Sequence, residues 1–150
     1  MKRRLLLLVL VVAALVAGCD TAPQQQLALP AVAPTKARLI FYRSGSNPYD
    51  GLLWTRVWLN DVAVGDLGPG AVFYRDLPPD TYHIVVRSEK LYPNQFKTVA
   101  VEPGSTTYVK IISDPYWGHE RDWQGYTFVV AIVDPAIGRY EVGPLRLMPG

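Results

Sequence analysis

Apolar and polar side chains alternate along most of the chain after residue 36, in short stretches that end at glycine, proline, asparagine or aspartate. The stretch ARLIFYR at Ala37–Arg43 is the first of them and stops at the turn-forming cluster SGSNP. A period of two is typical of a β-strand with one buried face. The predicted strands are Ala37–Arg43, 57–59, 62–65, 72–75, 81–88, 96–101, 106–113 and 126–134, with a further short strand at 138–142.

Strands of this length, separated by turns at intervals of roughly 8 to 12 residues, predict an all-β fold. We expect one domain over residues 37–150, a single small antiparallel β-sandwich of about seven to eight strands. The pair Asn60 and Asp61 predicts a hairpin turn between two of these strands. After residue 18 no stretch of ten or more residues has a clean helical period, which argues against long helices.

The alternation also selects the side chains that should fill the core between the two sheets. They are Leu39, Phe41, Val57, Leu59, Phe73, Ile84, Val86, Val99, Val101, Tyr108, Val109, Ile111, Phe128, Val130 and Ile132. Full burial of one such side chain contributes roughly 1.5 to 3 kcal/mol. We therefore expect packing alone to hold the domain together, since a chain with one cysteine has no internal disulfide.

The first 18 residues follow a different pattern. Lys2, Arg3 and Arg4 precede the run 5–17, which contains no polar side chain. A helix needs roughly 20 apolar residues to cross a bilayer, so this run is short for a permanent span and is typical of a signal peptide. A plain secretory signal and an uncleaved anchor are the alternatives.

The segment LVAGC at residues 15–19 resembles the lipobox of bacterial lipoproteins, with Leu15, Ala17, Gly18 and Cys19 at the motif positions. The resemblance implies cleavage between Gly18 and Cys19, lipidation of the Cys19 thiol and acylation of its new amino group. Two or three acyl chains make a stable anchor, because each buried methylene contributes about 0.8 kcal/mol. It also implies a protein of the bacterial cell envelope, anchored in a membrane and facing the periplasm or the exterior. Asp20, next to the lipidated position, resembles the signal that retains some lipoproteins at the inner membrane. Whether the anchor lies in the inner or the outer membrane stays open.

Residues 19–36 lie between this motif and the first strand. They contain three prolines and three consecutive glutamines and follow neither a strand period nor a helix period. We predict a flexible tether of about 17 residues, with a typical reach of roughly 20 to 25 Å.

Charge argues against a nucleic-acid partner. The whole chain has a formal net charge of +2, and removing residues 1–18 takes away three cationic side chains and no acid, which leaves −1. Strong attraction to a phosphate backbone requires an excess of positive charge. Proteins that bind nucleic acid are therefore not the expected class.

Two later stretches carry a second resemblance. LPPDTYHIVV at 77–86 and VEPGSTTYVKI at 101–111 look like the turn-and-strand signatures of small PEGA-type sandwiches. The order of the segments is similar to that of an uncharacterised bacterial lipoprotein family with a domain of unknown function. The resemblance implies an immunoglobulin-like or PEGA-like sandwich in the cell envelope, and it supplies no catalytic residues.

The histidines and serines of the chain form no recognisable catalytic or metal-binding pattern. His83 falls inside a predicted strand and is interpreted as a surface or structural residue. His119 lies near Glu120 and Asp122, but their spacing fits no compact metal site, and no serine stands in a nucleophile elbow. We predict no cofactor, no metal and no enzymatic activity.

The connection 115–126 is rich in aromatic residues. Its members Tyr116, Trp117, His119, Trp123 and Tyr126, together with Trp54 from an earlier connection, form a possible binding surface. The favoured interpretation is that the rings cover the open end of the core. The predicted function is a non-catalytic, lipid-anchored accessory or protein-interaction module with an envelope protein as partner. The alternative is a module that binds wall polysaccharide, peptidoglycan or another glycan, through stacking on these rings.

Overall fold

The strands of the computed structural model lie in two facing sheets, and the structure describes residues 27–45, 54–86, 95–114 and 127–149. The five-stranded sheet has the order β8-β7-β1-β4-β9, and the four-stranded sheet has the order β3-β2-β5-β6. The elements are β1 (Ala37–Arg43), β2 (Thr55–Leu59), β3 (Val62–Leu67), β4 (Ala71–Leu77), β5 (Thr81–Val86), β6 (Phe96–Ala100), β7 (Thr106–Asp114), β8 (Thr127–Val133), α1 (Pro135–Val142) and β9 (Arg146–Leu147). The predicted all-β sandwich is confirmed, with nine strands among the described residues. In these ranges no helix has the length and apolar character needed to cross a membrane.

The five-stranded sheet is mixed, whereas a purely antiparallel sheet was predicted. β1 pairs antiparallel with β4 and parallel with β7, and β9 pairs parallel with β4. Parallel neighbours need a long crossover connection, and here the chain builds the whole four-stranded sheet between β1 and β7. Side-chain alternation carries no information about strand direction, so the sequence could not reveal this pairing.

The predicted turn between β2 and β3 is confirmed. Asn60 and Asp61 have φ angles of 45° and 65°, the left-handed conformations that a two-residue turn with the twist of a hairpin requires. The Asn60 side-chain oxygen accepts a hydrogen bond from the backbone N–H of His83 at 2.8 Å, which ties the turn to β5. The register of the hairpin shifts between Val57 and Trp58, and nothing in the sequence predicted this irregularity.

The core between the sheets matches the sequence prediction at most positions. Twelve of the fifteen predicted side chains are buried there, and Val99 packs partly buried against them. Ile132 was wrongly predicted: it is 42% exposed, because β8 is an edge strand and the end of its inner face is only partly covered. Tyr108 is buried, but in a second cluster on the outer face of the five-stranded sheet.

The predicted strand at 138–142 is wrong, because these residues belong to α1. Asp134 caps the helix by accepting a hydrogen bond from the N–H of Ala136 at 2.8 Å, and Pro135 occupies the first turn. Gly138 lies directly against Tyr108 of β7, where a Cβ would overlap the ring. The helix therefore lies close on the outer face of the five-stranded sheet.

A third layer also includes part of the predicted tether. Leu27 and Leu29 are partly buried against a cluster that contains Ile40, Tyr42 and Val142. Residues 27–36 thus lie on the domain, whereas residues 19–26 are outside the described ranges. The stretch had no recognisable period because it crosses the sheet as irregular chain, yet its leucines are buried by the same hydrophobic effect as the core.

Candidate functional site

Most residues predicted to have a function lie outside the described residues. These are Gly18, Cys19, Tyr116, Trp117, His119, Trp123 and Tyr126. Trp54 lies directly before β2 and is about half exposed, with its indole against the backbone of Gly68. The hypothesis of an aromatic binding surface therefore stays a prediction, with Trp54 as its described member.

One end of the sandwich gathers the strand ends that border the undescribed stretches. β1 ends there at Arg43 and β7 at Asp114, while β8 begins there at Thr127. In the other sheet β2 begins at Thr55, opposite the end of β3. The short connection 68–70 from β3 to β4 brings the ends of the two sheets side by side. Trp54 thus stands at the end of the sandwich that the connection 115–126 also joins.

The core is polar at this same end. Arg43, Thr55, Gln95 and Ser113 are all buried, and we name them the polar end. The Arg43 guanidinium lies over the Phe128 ring at 4.9 Å. The buried hydroxyls of Thr55 and Ser113 have no hydrogen-bond partner in the described part of the chain, which is uncommon in native proteins.

Sequence reasoning missed the polar end, although a signal was present. Arg43 has the same strand phase as Leu39 and Phe41, and Ser113 has the phase of Val109 and Ile111. A polar residue that continues an inward-facing series indicates a polar site at the end of the core. The chemical groups gathered there are a guanidinium, an amide and two hydroxyls, which suit hydrogen bonding more than acid–base chemistry.

His83 lies on the outer face of the four-stranded sheet, as interpreted. Its Nδ1 is 3.2 Å from the Thr98 hydroxyl, and its ring is tilted against Phe96 with centroids 5.4 Å apart. Within ranges 27–45, 54–86, 95–114 and 127–149, no group of three or more His, Cys, Asp or Glu side chains is placed to hold a metal ion.

A partly buried polar cluster fixes α1 to the five-stranded sheet. The Tyr42 hydroxyl donates to Glu141 Oε2 at 2.5 Å, and Lys110 Nζ donates to Glu141 Oε1 at 2.5 Å. Burial and the neighbouring Glu141 carboxylate raise the pKa of Tyr42 well above its usual range. For Glu141, burial favours a higher pKa, but the hydrogen bonds from Lys110 and Tyr42 outweigh it and leave the pKa lowered. The cluster joins β1, β7 and α1.

Tyr42→Phe should lower the free energy of unfolding by about 2 kcal/mol at pH 7, because it deletes a partly buried hydrogen bond to a charged group. The raised pKa of Tyr42 also makes wild-type stability fall above about pH 10, where tyrosine ionises in the unfolded chain. Urea unfolding between pH 7 and 11 measures both effects. The difference between the variant and wild type should shrink as the pH rises, and a constant difference contradicts the assignment.

A second polar cluster fixes residues 27–36 to the same sheet. Arg38 is 3% exposed, and its Nε and Nη2 donate to the two carboxylate oxygens of Asp76 at 2.6 and 2.7 Å. Its Nη1 donates to the Pro30 carbonyl at 2.6 Å, and its guanidinium lies 4.3 Å from the Tyr74 ring centroid. The hydrogen bonds from Arg38 hold the pKa of Asp76 below its usual range. Arg38 therefore connects the amino-terminal segment to β1 and β4.

Comparisons with known proteins assign this chain to no family. No protein-family model matches the chain, and no curated protein matches it.

Proposed function

We propose that this chain is a non-catalytic lipoprotein of the bacterial cell envelope, anchored through lipid on Cys19, whose sandwich serves as an accessory or protein-interaction module. The observation that carries the proposal is LVAGC at 15–19, placed directly behind a basic start and an apolar run. A cysteine at that position and nowhere else in the chain has a ready chemical role as the site of acylation.

The fold supports a short connection between the anchor and the domain. Leu27 is already packed on the five-stranded sheet, so seven residues lie between the described domain and Cys19. The eight Cα–Cα steps from Cys19 to Leu27 span at most roughly 26 to 29 Å when extended. The acyl chains would thus hold the sandwich close to one membrane and raise its effective concentration toward partners at that surface.

The proposal is tested by the intact mass of the full-length protein expressed in a bacterial host. The expected wild-type product lacks residues 1–18 and carries acyl mass on Cys19. Cys19→Ser should keep residues 1–18 and carry no acyl mass, because the thiol is the lipid acceptor. An unmodified thiol in the wild-type protein contradicts the proposal.

A matched control separates the motif from the mere presence of a thiol. The double variant Cys19→Ser with Thr21→Cys moves the cysteine two positions while keeping the basic start and the apolar run. We expect no acylation of this variant. Equal acylation at residue 21 would show that the spacing in LVAGC is irrelevant and would remove the main support for the proposal.

A further inference from the structure

The outer face of the five-stranded sheet is covered by an apolar surface that has two parts, helix α1 and residues 27–34. Ile137 and Tyr140 of α1 are 54% and 66% exposed, and their spacing of three residues places them on one side of the helix. Beside the helix, residues 27–34 read LALPAVAP and contain no polar side chain. Five of these eight residues are exposed, namely Ala28, Pro30, Ala31, Ala33 and Pro34, whereas Leu27, Leu29 and Val32 are partly buried. We call α1 and residues 27–34 together the α1 face.

The route of the chain relates the α1 face to the anchor. Leu27 and Leu29 join the cluster that contains Val142 of α1, so the amino-terminal segment leaves the domain from this face. The inference rests on the proposed function, in which Cys19 lies in the bilayer eight residues earlier. A connection that short brings the surface from which it leaves toward the lipid.

The charges agree with an interfacial position. Arg139 lies exposed in the last turn of α1, and Arg146 follows it in β9. Glu141 is neutralised by Lys110, which leaves Asp134, the helix cap, as the exposed acid of this segment. Tyrosine beside arginine is a combination that favours the headgroup layer, where the ring is partly desolvated and the cation meets lipid phosphate.

We propose that the α1 face rests on the membrane surface, with Ile137 and Tyr140 in the headgroup region. In this orientation the four-stranded sheet, with its exposed ion pair between Arg56 and Asp66, points away from the lipid. Layers in a sandwich are about 10 Å apart, so the two faces of the domain differ clearly in depth.

A depth measurement on the lipidated full-length protein tests this orientation. The native cysteine carries lipid, so a thiol introduced by Tyr140→Cys can be labelled alone with an environment-sensitive fluorophore. The matched control is Val62→Cys on β3 of the other sheet, where the native side chain is 64% exposed. The proteins are placed in vesicles of phosphatidylcholine and phosphatidylglycerol that contain lipid spin-labelled near the headgroup. We expect severalfold stronger quenching at position 140 than at position 62.

Three results would contradict one of the two proposals and identify which. Equal quenching at both positions, in protein that floats with the vesicles, overturns the membrane orientation and leaves the anchor intact. In a second case the label at position 140 is shielded from water but is not quenched by the spin label, and it becomes exposed when the protein is diluted in the bilayer. This result overturns the membrane orientation and indicates that a second copy of the chain covers the α1 face. Protein that neither floats nor carries acyl mass overturns the proposed function itself.

Discussion

Phe41→Ala is expected to lower the free energy of unfolding by about 4 kcal/mol, the largest effect predicted for a single side chain here. Phe41 lies on β1, the central strand of the five-stranded sheet, and is fully buried between the two sheets. Its ring stacks on Phe73 of β4 with centroids 5.0 Å apart. The truncation removes apolar contact and leaves a cavity, because strands on both sides prevent the core from collapsing around it.

Urea unfolding at neutral pH, followed by circular dichroism, measures the loss. Ile132→Ala is the matched control, since Ile132 also alternates inward but lies 42% exposed near the end of edge strand β8. The control should lose only about 1 kcal/mol, because a large part of the removed surface already contacts water and the truncation leaves no closed cavity. Similar losses for the two variants would mean that the edge of the core is packed as tightly as its centre.

This pair also shows what the alternation of the sequence can predict. It assigns the inward face of a strand correctly, as Leu39 and Phe41 show. It does not say how far the opposite sheet extends, and for that reason Ile132 was placed in the core. It also does not assign a buried residue to a layer: Tyr108 is buried as predicted, yet against α1 rather than between the sheets.

In the region after β8 a helix start signal competes with a stretch that was predicted to be a strand. GRYEV at 138–142 was interpreted as a strand from its composition. The dipeptide of Asp134 and Pro135 is a helix start signal, because the aspartate caps the free N–H groups and proline tolerates the first turn. The helix then gains stability from the contact of Gly138 with Tyr108 and from the hydrogen bonds of Glu141. These contacts join residues that are far apart in the sequence, so a short stretch of sequence cannot predict them.

The candidate sites likewise differ in whether their residues are contiguous in the sequence or brought together by the fold. The resemblance of LVAGC to a lipobox can be recognised from the sequence, because that motif consists of contiguous residues. The polar end combines residues of several strands, and the α1 face combines a helix with residues 27–34, which are far from it in the sequence. Neither grouping could be assembled from the sequence. Arg43 and Ser113, for example, lie at the same end of the five-stranded sheet because β1 and β7 run parallel.

Asp76→Ala is the second change with a large expected effect, a loss of about 3 kcal/mol at neutral pH. It leaves the Arg38 guanidinium, which is 3% exposed, with the Pro30 carbonyl and the Tyr74 ring but without its counter-ion. An unpaired buried charge is strongly destabilising, although the 33% exposure of the Asp76 side chain places the loss at the lower end of the usual range. Chemical unfolding of the variant and wild type measures it.

The pH dependence of this loss has a definite sign. The pKa of Asp76 is lowered in the folded protein by its hydrogen bonds from Arg38, so its stabilisation is present in full above the unfolded value of about 3.9. It disappears as the pH falls through the lowered folded pKa. The difference between Asp76→Ala and wild type should therefore be constant above about pH 5 and shrink below about pH 4. A difference that stays constant down to pH 2 would contradict the ion pair as its source.

The double variant Arg38→Met with Asp76→Ala distinguishes the cost of an unpaired buried charge from the loss of the ion pair itself. Replacing both partners removes the uncompensated charge, so it should regain a large part of the stability that Asp76→Ala loses. The same double variant also deletes the hydrogen bond from Arg38 to the Pro30 carbonyl, which holds residues 27–30 on the sheet. If the α1 face rests on lipid because the chain leaves from it, releasing this segment lengthens the connection to Cys19. Quenching of the label at position 140 should then fall while the protein remains anchored, and unchanged quenching would show that the α1 face stays on the membrane without help from Arg38.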